Sequence, residues 1–407
     1  MSSFSPRRLR RATLADGQVV DVEIDADKVG LVRPASTAPL ALDDLDLEGW
    51  LLLAAPADPH THLDKALSWD AIQPPSGDLD RAIASWLDYS SGVDEDEIHD
   101  RSLQAIERYL GNGTTAIRTH VDVPAEGDAT RGVRAVARAR EAFAGLIDVE
   151  IVALAGREID PARMESALAA GADLVGGAPH LAPDEGGDLE ALLRLAERHG
   201  VGVDFHADEA LRHGTTLAHL SRRTRDWSVT RTASHCVRLS MLDDAELAPL
   251  LIDAARAGVG VIANPMTNLY LQGWGDPVAT PRGIAPIRKL RAAGVVTAAG
   301  GDNVRDPFNP LGRADPFETA MLLVVAAHLS IEEAWDAVSA SARRVMGLPP
   351  AGPVDGLRAD LLAVRADSLA EAVASAPADR IVISRGRVVA RADTTRWMVP
   401  RTRKEDQ

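Results

Sequence analysis

The triplet His60-Thr61-His62 carries two imidazoles two residues apart. On an extended strand that spacing sends both rings off one face, where they can converge on a single cation. Comparable residues end other short apolar runs: His120 and Asp122, His180, His206 with Glu209 three residues on, His235, Asn264 and Asp302. Six of the 11 histidines fall at such ends. Two imidazoles from one strand, a third from His206 and the carboxylate of Asp302 make a donor set suited to one Zn²⁺ or Fe²⁺, with a position open for water. Glu209, just past a ligand, is placed to carry a proton between that water and a substrate, and His235 to hold the attacking hydroxide. Plainer readings exist: an exposed first-turn glutamate favoured by a helix dipole, and a hydrogen-bonded core histidine. Cys236 reads as a small buried hydrophobe.

The four lysines are Lys28, Lys65, Lys289 and Lys404. None ends the fourth apolar run, where a carboxylated lysine would bridge a second ion, so the site is expected to be mononuclear. Lys65, just past the histidine pair, is expected either to meet an anionic substrate group or to stand as a solvated loop lysine.

These residues need a scaffold that gathers strand ends. Between about 51 and 348 a Val/Ile/Ala/Gly-rich run, a polar turn and a helical pattern recur, with strands expected at 54–62, 114–123, 149–156, 173–180, 200–209, 228–236, 258–265 and 295–303. The connectors, such as GDLEALLRLAERHG and MLDDAELAPLLIDAARAG, are amphipathic at helical spacing and several end in Gly. Eight such units imply an α/β fold, a (β/α)8 TIM-type barrel whose functional groups stand at the C-terminal ends of its strands. A doubly wound open sheet usually carries a Gly-rich phosphate turn after its first strand, and none is present. Residues 1–50 and 353–398 are β-rich and are expected to pair into one small sheet domain beside a barrel spanning 51–352, with 399–407 a solvated tail.

With 407 residues, 46% hydrophobic and 26% charged, the chain has ordinary globular composition, which excludes wholesale disorder, collagen and coiled coil. A formal charge of −16 argues against nucleic-acid and anionic membrane partners. One cysteine, no apolar stretch approaching about 20 residues, and paired N-terminal arginines without an apolar run behind them lead us to expect a cytoplasmic enzyme with a small-molecule partner. Homo-oligomerisation is left open.

Seven strings in chain order, DPHTHLDKAL, AIRTHVDV, GADLVGGAPH, DFHADE, TASHC, ANPMTNLYLQG and GGDNVRDPFNPLG, span the barrel and resemble the bacterial cytosine deaminase-like branch of the amidohydrolase superfamily. N-isopropylammelide isopropylaminohydrolase belongs to the same branch. The resemblance implies metal ligation by His60, His62, His206 and Asp302, proton transfer to a ring nitrogen by Glu209, orientation of hydroxide by His235, and a proton-accepting role for Asp302. It further implies hydrolytic deamination of a small nitrogen heterocycle such as a pyrimidine, triazine or related cyclic amidine. Where the branch's cytosine deaminases place a Gln that reads the pyrimidine edge, this chain has Gly156 followed by Arg157. Its eighth strand continues with Asn303 in place of a second Asp, and Phe308 stands in place of a Trp. Gln272 does match, so it is expected to keep a polar contact to the ring. Hydrolysis of a cyclic amide or lactone, as in hydantoinase-like barrels, is the alternative; it would use the same metal without releasing an amine. A non-catalytic binding barrel ranks last, because no ligand position is lost.

Overall fold

The computed structural model describes residues 5–398 except Ser76 and Glu158; the expected tail at 399–407 lies outside the described residues. Eight parallel strands form the central sheet: β1 (Ala57–Thr61), β2 (Ala116–Val123), β3 (Asp148–Ala155), β4 (Leu174–Gly177), β5 (Gly202–Ala207), β6 (Arg231–His235), β7 (Gly260–Ala263) and β8 (Thr297–Ala299). Each neighbours the next in chain order. The seam between β8 and β1 closes just past the end of β8, where Asp302 N donates to the His60 carbonyl at 2.9 Å. Thr61 Oγ1 donates in return to the Asp302 carbonyl at 2.8 Å. The expected (β/α)8 barrel is therefore the observed one.

Its strands are shorter than the apolar runs suggest, so His180 sits in a 3₁₀ turn (Pro179–Leu181) beyond β4, and His62, Glu209 and Asp302 lie past their strands. The helices follow local chemistry. Asp94 caps Glu95–Gly111 by accepting from Glu97 N, Asp243 and Glu246 form a reciprocal capping box on Asp244–Ala257, and Gly200 and Gly258 end their helices in left-handed conformation at φ 65° and 64°. Among the described residues no helix is long and apolar enough to cross a membrane.

A second sheet interleaves the two ends of the chain in the order Arg387–Ala392, Arg380–Ser384, Leu361–Val364, Leu51–Ala54, Arg8–Thr13, Val19–Asp25, Lys28–Pro34, with Asp44–Asp46 beside Arg8–Thr13. Its central joint is antiparallel, Leu52 opposite Ala363 and Leu53 opposite Leu362. Leu51–Ala54, grouped by sequence with the barrel, thus belongs to this sheet. The run LLLA is buried on both faces and carries no alternation to show which sheet it joins.

Side chains facing inward along the barrel are polar as well as apolar. Arg118 on β2 is fully buried; its Nε donates to Glu150 on β3 at 3.0 Å and its Nη1 to Asp204 on β5 and Thr232 on β6, each at 3.1 Å. Ser234 Oγ also donates to Asp204, at 2.8 Å. This charged layer lies beneath the residues that end the strands.

Candidate metal centre

Period-two geometry on β1 aims Asp58, His60 and, just beyond, His62 to one side. His62 Nε2 lies 3.3 Å from His206 Nε2 and 3.3 Å from Asp302 Oδ1, and His60 Nε2 lies 3.7 Å from the same carboxylate oxygen. Nitrogens of His60, His62 and His206 fall within 4.8 Å of one another, and so do donor atoms of His60, His235 and Asp302. His235 and Asp302 both adopt left-handed backbone conformation, at φ 71° and 60°. Non-glycine residues hold that conformation at a cost of about 1–3 kcal/mol, which the surrounding structure must offset; here it turns two functional side chains toward the cluster.

Among the described residues several of these buried atoms have no hydrogen-bond partner: both ring nitrogens of His60, His206 Nδ1, and both oxygens of Asp302. Unpaired buried polar atoms are expensive, about 1–3 kcal/mol each. Burial first, then the neighbouring imidazoles, hold His60 and His206 far below the ordinary histidine range. Burial also lowers His62, helped by the Lys65 charge. All three rings are therefore neutral with lone pairs available. Burial, with the charges of Glu209, Asp306 and Asp58, raises Asp302 well above the carboxylate range. A divalent cation would oppose that shift and give one lone pair of each neutral ring, together with the Asp302 carboxylate, a shared partner, so the donor set fits one. His60, His120 and Asp204 also converge, but Asp204 Oδ2 already accepts from the Arg118 guanidinium at 3.1 Å. A second cation there would face a buried positive charge.

Glu209 is buried, not exposed on a helix turn, and burial pushes its carboxyl up to about 8. Its Oε1 lies 3.7 Å from His235 Nδ1 and its Oε2 3.5 Å from His180 Nε2. His235, pushed down to about 3 by burial and then by the imidazoles of His180 and His120, has Asn268 Nδ2 at 3.0 Å from Nδ1 and Asn264 Nδ2 at 3.4 Å from both ring nitrogens. Strand-end reading found Asn264 but not Asn268. One turn further along Pro265–Leu271, Asn268 is visible only as the i+4 neighbour of Asn264.

The expected substrate contacts fare differently. Lys65 is neither solvated nor free for an anion: it is 2% exposed, its Nζ donates to Asp122 at 2.9 Å and to Asp64 at 3.3 Å, and it lies over the Trp86 ring. Burial opposes its charge, yet Asp122 and Asp64 hold it protonated above its ordinary value. Arg157 turns outward, exposed, onto Asp80 of helix α1 (Leu79–Ser90) at 3.2 Å. Gln272 Nε2 donates to the Glu209 carbonyl at 2.9 Å, so its amide nitrogen is engaged with the backbone. Asn303, also buried, donates to Asp306 at 2.8 Å, and Phe308 is half-buried in the turn that follows. Gly156 lies exposed just past β3, and a Cβ there would meet nothing within 4 Å among the described residues.

A family model described as "Amidohydrolase family" matches residues 81–390. The chain is 31% identical over 393 residues to a pterin deaminase of Rhizobium rhizogenes, covering 93% of this chain and 87% of that one. Its fold is similar to the crystal structure of 5-methylcytosine deaminase from Klebsiella pneumoniae, with a TM-score of 0.87, 25% identity, and 97% and 99% of the two chains covered. It is also similar to N-isopropylammelide isopropylaminohydrolase from Burkholderia multivorans, with a TM-score of 0.82, 31% identity, and 94% and 98% covered.

Proposed function

The chain belongs to the amidohydrolase family, and from that premise we propose that it hydrolytically removes an amine from a small nitrogen heterocycle, with one divalent transition metal held by His60, His62, His206 and Asp302. The observation that carries the reading is the convergence of these buried donor atoms, those of His60 and Asp302 without a hydrogen-bond partner among the described residues, beside a carboxyl that stays protonated near neutral pH. When bound, such a metal makes water nucleophilic near neutral pH and polarises the bond under attack.

The chain's own residues do the rest. Glu209, protonated up to about pH 8, delivers its proton to a ring nitrogen and recovers one from the attacking water. His235 stays neutral between Asn268 and Glu209 and orients the attacking hydroxyl by hydrogen bond. Asp302, whose Oδ2 lies 4.0 Å from His235 Nδ1, takes the remaining proton of the attacking hydroxyl and passes it to the departing amine. Every one of these side chains is buried, so bulk water is kept from competing and each charge acts at close to full strength.

The relatives, a pterin deaminase, a 5-methylcytosine deaminase and an isopropylaminohydrolase, define the panel to test. Release of ammonia or alkylamine is measured over pterins, cytosine, 5-methylcytosine, isocytosine, aminotriazines and creatinine, with metal content determined on the same samples. Amine release from at least one ring by metal-loaded protein is expected. Opening of a cyclic amide with no amine released would overturn the proposal in favour of hydantoinase-like hydrolysis.

A further inference from the structure

His180 ends the GGAPH run and its side chain is fully buried, yet nothing in the chemistry above uses it. Its Nδ1 lies 3.2 Å from the carbonyl oxygen of His206. A carbonyl only accepts, so Nδ1 must carry the ring proton. In a neutral ring this leaves Nε2 as a bare acceptor. That atom has no hydrogen-bond partner among the described residues, and it faces Glu209 Oε2 at 3.5 Å.

We propose that His180 is a positioning residue for Glu209: its Nε2 accepts the carboxyl O–H and thereby fixes Oε2 as the oxygen that carries the proton. The His206 backbone sets the His180 tautomer, so the strand that presents a metal ligand also orients the proton carrier three residues later. Both side chains are buried, which favours a neutral carboxyl and a neutral ring over an ion pair. Oε1 is left facing His235 at 3.7 Å, on the side of the cluster. Delivery of the proton breaks the O–H···Nε2 bond: the proton leaves Oε2 for the ring nitrogen, and the His180 lone pair is freed until Glu209 is reprotonated.

The inference rests on Glu209 being the proton carrier, and two substitutions separate it from a merely structural role. His180→Asn keeps a donor where Nδ1 meets the His206 carbonyl but loses the acceptor at Nε2. His180→Gln places an amide oxygen near Nε2 and gives up the contact to His206. Positioning requires that His180→Asn lower kcat by about 10–100-fold, as loss of an orienting partner typically does, at unchanged metal content, and that His180→Gln retain most of it. The loss should vanish in a Glu209→Gln background, because the two residues act as a unit. A second readout needs no substrate: the infrared carbonyl band of the protonated carboxyl, identified by its disappearance in Glu209→Gln, should shift to higher frequency in His180→Asn and stay in His180→Gln. If His180→Asn matches the wild type in the infrared band while His180→Gln does not, the histidine serves the backbone alone and the inference is overturned, whatever the substrate screen shows. A normal infrared pattern with no amine release from any substrate would instead sink the functional reading and leave the Glu209–His180 bond standing.

Discussion

Glu209→Gln should cost activity and raise stability, and one cause underlies both. The carboxyl rises from an ordinary 4.5 to about 8 because the fold strips it of water. An unfolded chain releases this proton near pH 4.5, whereas the folded protein keeps it until about pH 8. Between those values the unfolded state binds fewer protons, so stability falls as pH rises, at roughly 1 kcal/mol per pH unit. Over the window this amounts to a few kcal/mol lost to a single side chain. Glutamine has the same shape, can still donate to His180 and does not titrate, so the variant should match the wild type at pH 5 and exceed it progressively to pH 8.5. Denaturant unfolding of both proteins across that range, compared as a difference, isolates Glu209 from every other titrating group. The difference should be larger after chelation, since a nearby cation opposes the burial shift. In parallel kcat should fall by about 10²-fold or more. Stability profiles that run parallel from pH 5 to 8.5 would refute the electrostatic argument, and near-native turnover would show that another residue carries the proton.

Metal analysis of purified protein should give about one divalent transition metal per chain, lost in a His60→Ala/His62→Ala double variant; a stoichiometry near two would defeat the argument from Arg118 and Asp204. Arg118→Leu should destabilise by about 3–5 kcal/mol because it strands Asp204 and Glu150 without their shared guanidinium, and a loss below about 1 kcal/mol in chemical denaturation would show that the charged layer relaxes freely. Cytosine should be a poor substrate, with kcat/KM below about 10⁵ M⁻¹s⁻¹, because the position of a ring-reading glutamine is held by Gly156 and the Gln272 amide nitrogen is engaged with the Glu209 backbone. Steady-state kinetics above that value would show that neither position governs specificity.

The barrel and the convergence of its strand-end histidines and Asp302 were readable because both obey rules local in sequence. Recurring Val/Ile/Ala/Gly-rich runs, each followed by a polar turn and a helical pattern, marked the strands, and a strand's last residues must face the barrel mouth, so His60, His206 and Asp302 could be brought together before any contact was seen. Lys65 and Arg157 escaped that reasoning. Once the chain leaves a strand, side-chain direction is set by whichever partner the loop meets: Asp64 and Asp122 claim Lys65, and Asp80, from a helix more than 70 residues away in sequence, claims Arg157. The same limit hid Gln272, whose partner is a backbone carbonyl and so leaves no residue-type signal. Leu51–Ala54 was misplaced because a strand buried on both faces carries no alternation to tell one sheet from another.

The seam at Asp302 also orders events in time. Thr61 and Asp302 meet across 241 residues of chain, and Leu51–Ala54 finds its sheet partner only at Leu361–Val364. At a synthesis rate of roughly 5–20 residues per second, His60 and His62 wait on the order of 10–50 s before the carboxylate that completes their donor set exists. During that interval a growing chain can offer a metal only two or three imidazoles on an unclosed sheet, a weak and unselective trap. For the proposed metal site, secure loading would therefore be a late event, reserved for a chain that has already joined its first barrel strand to its last, and a nascent chain stalled short of Asp302 should retain little metal however far its earlier strands have folded.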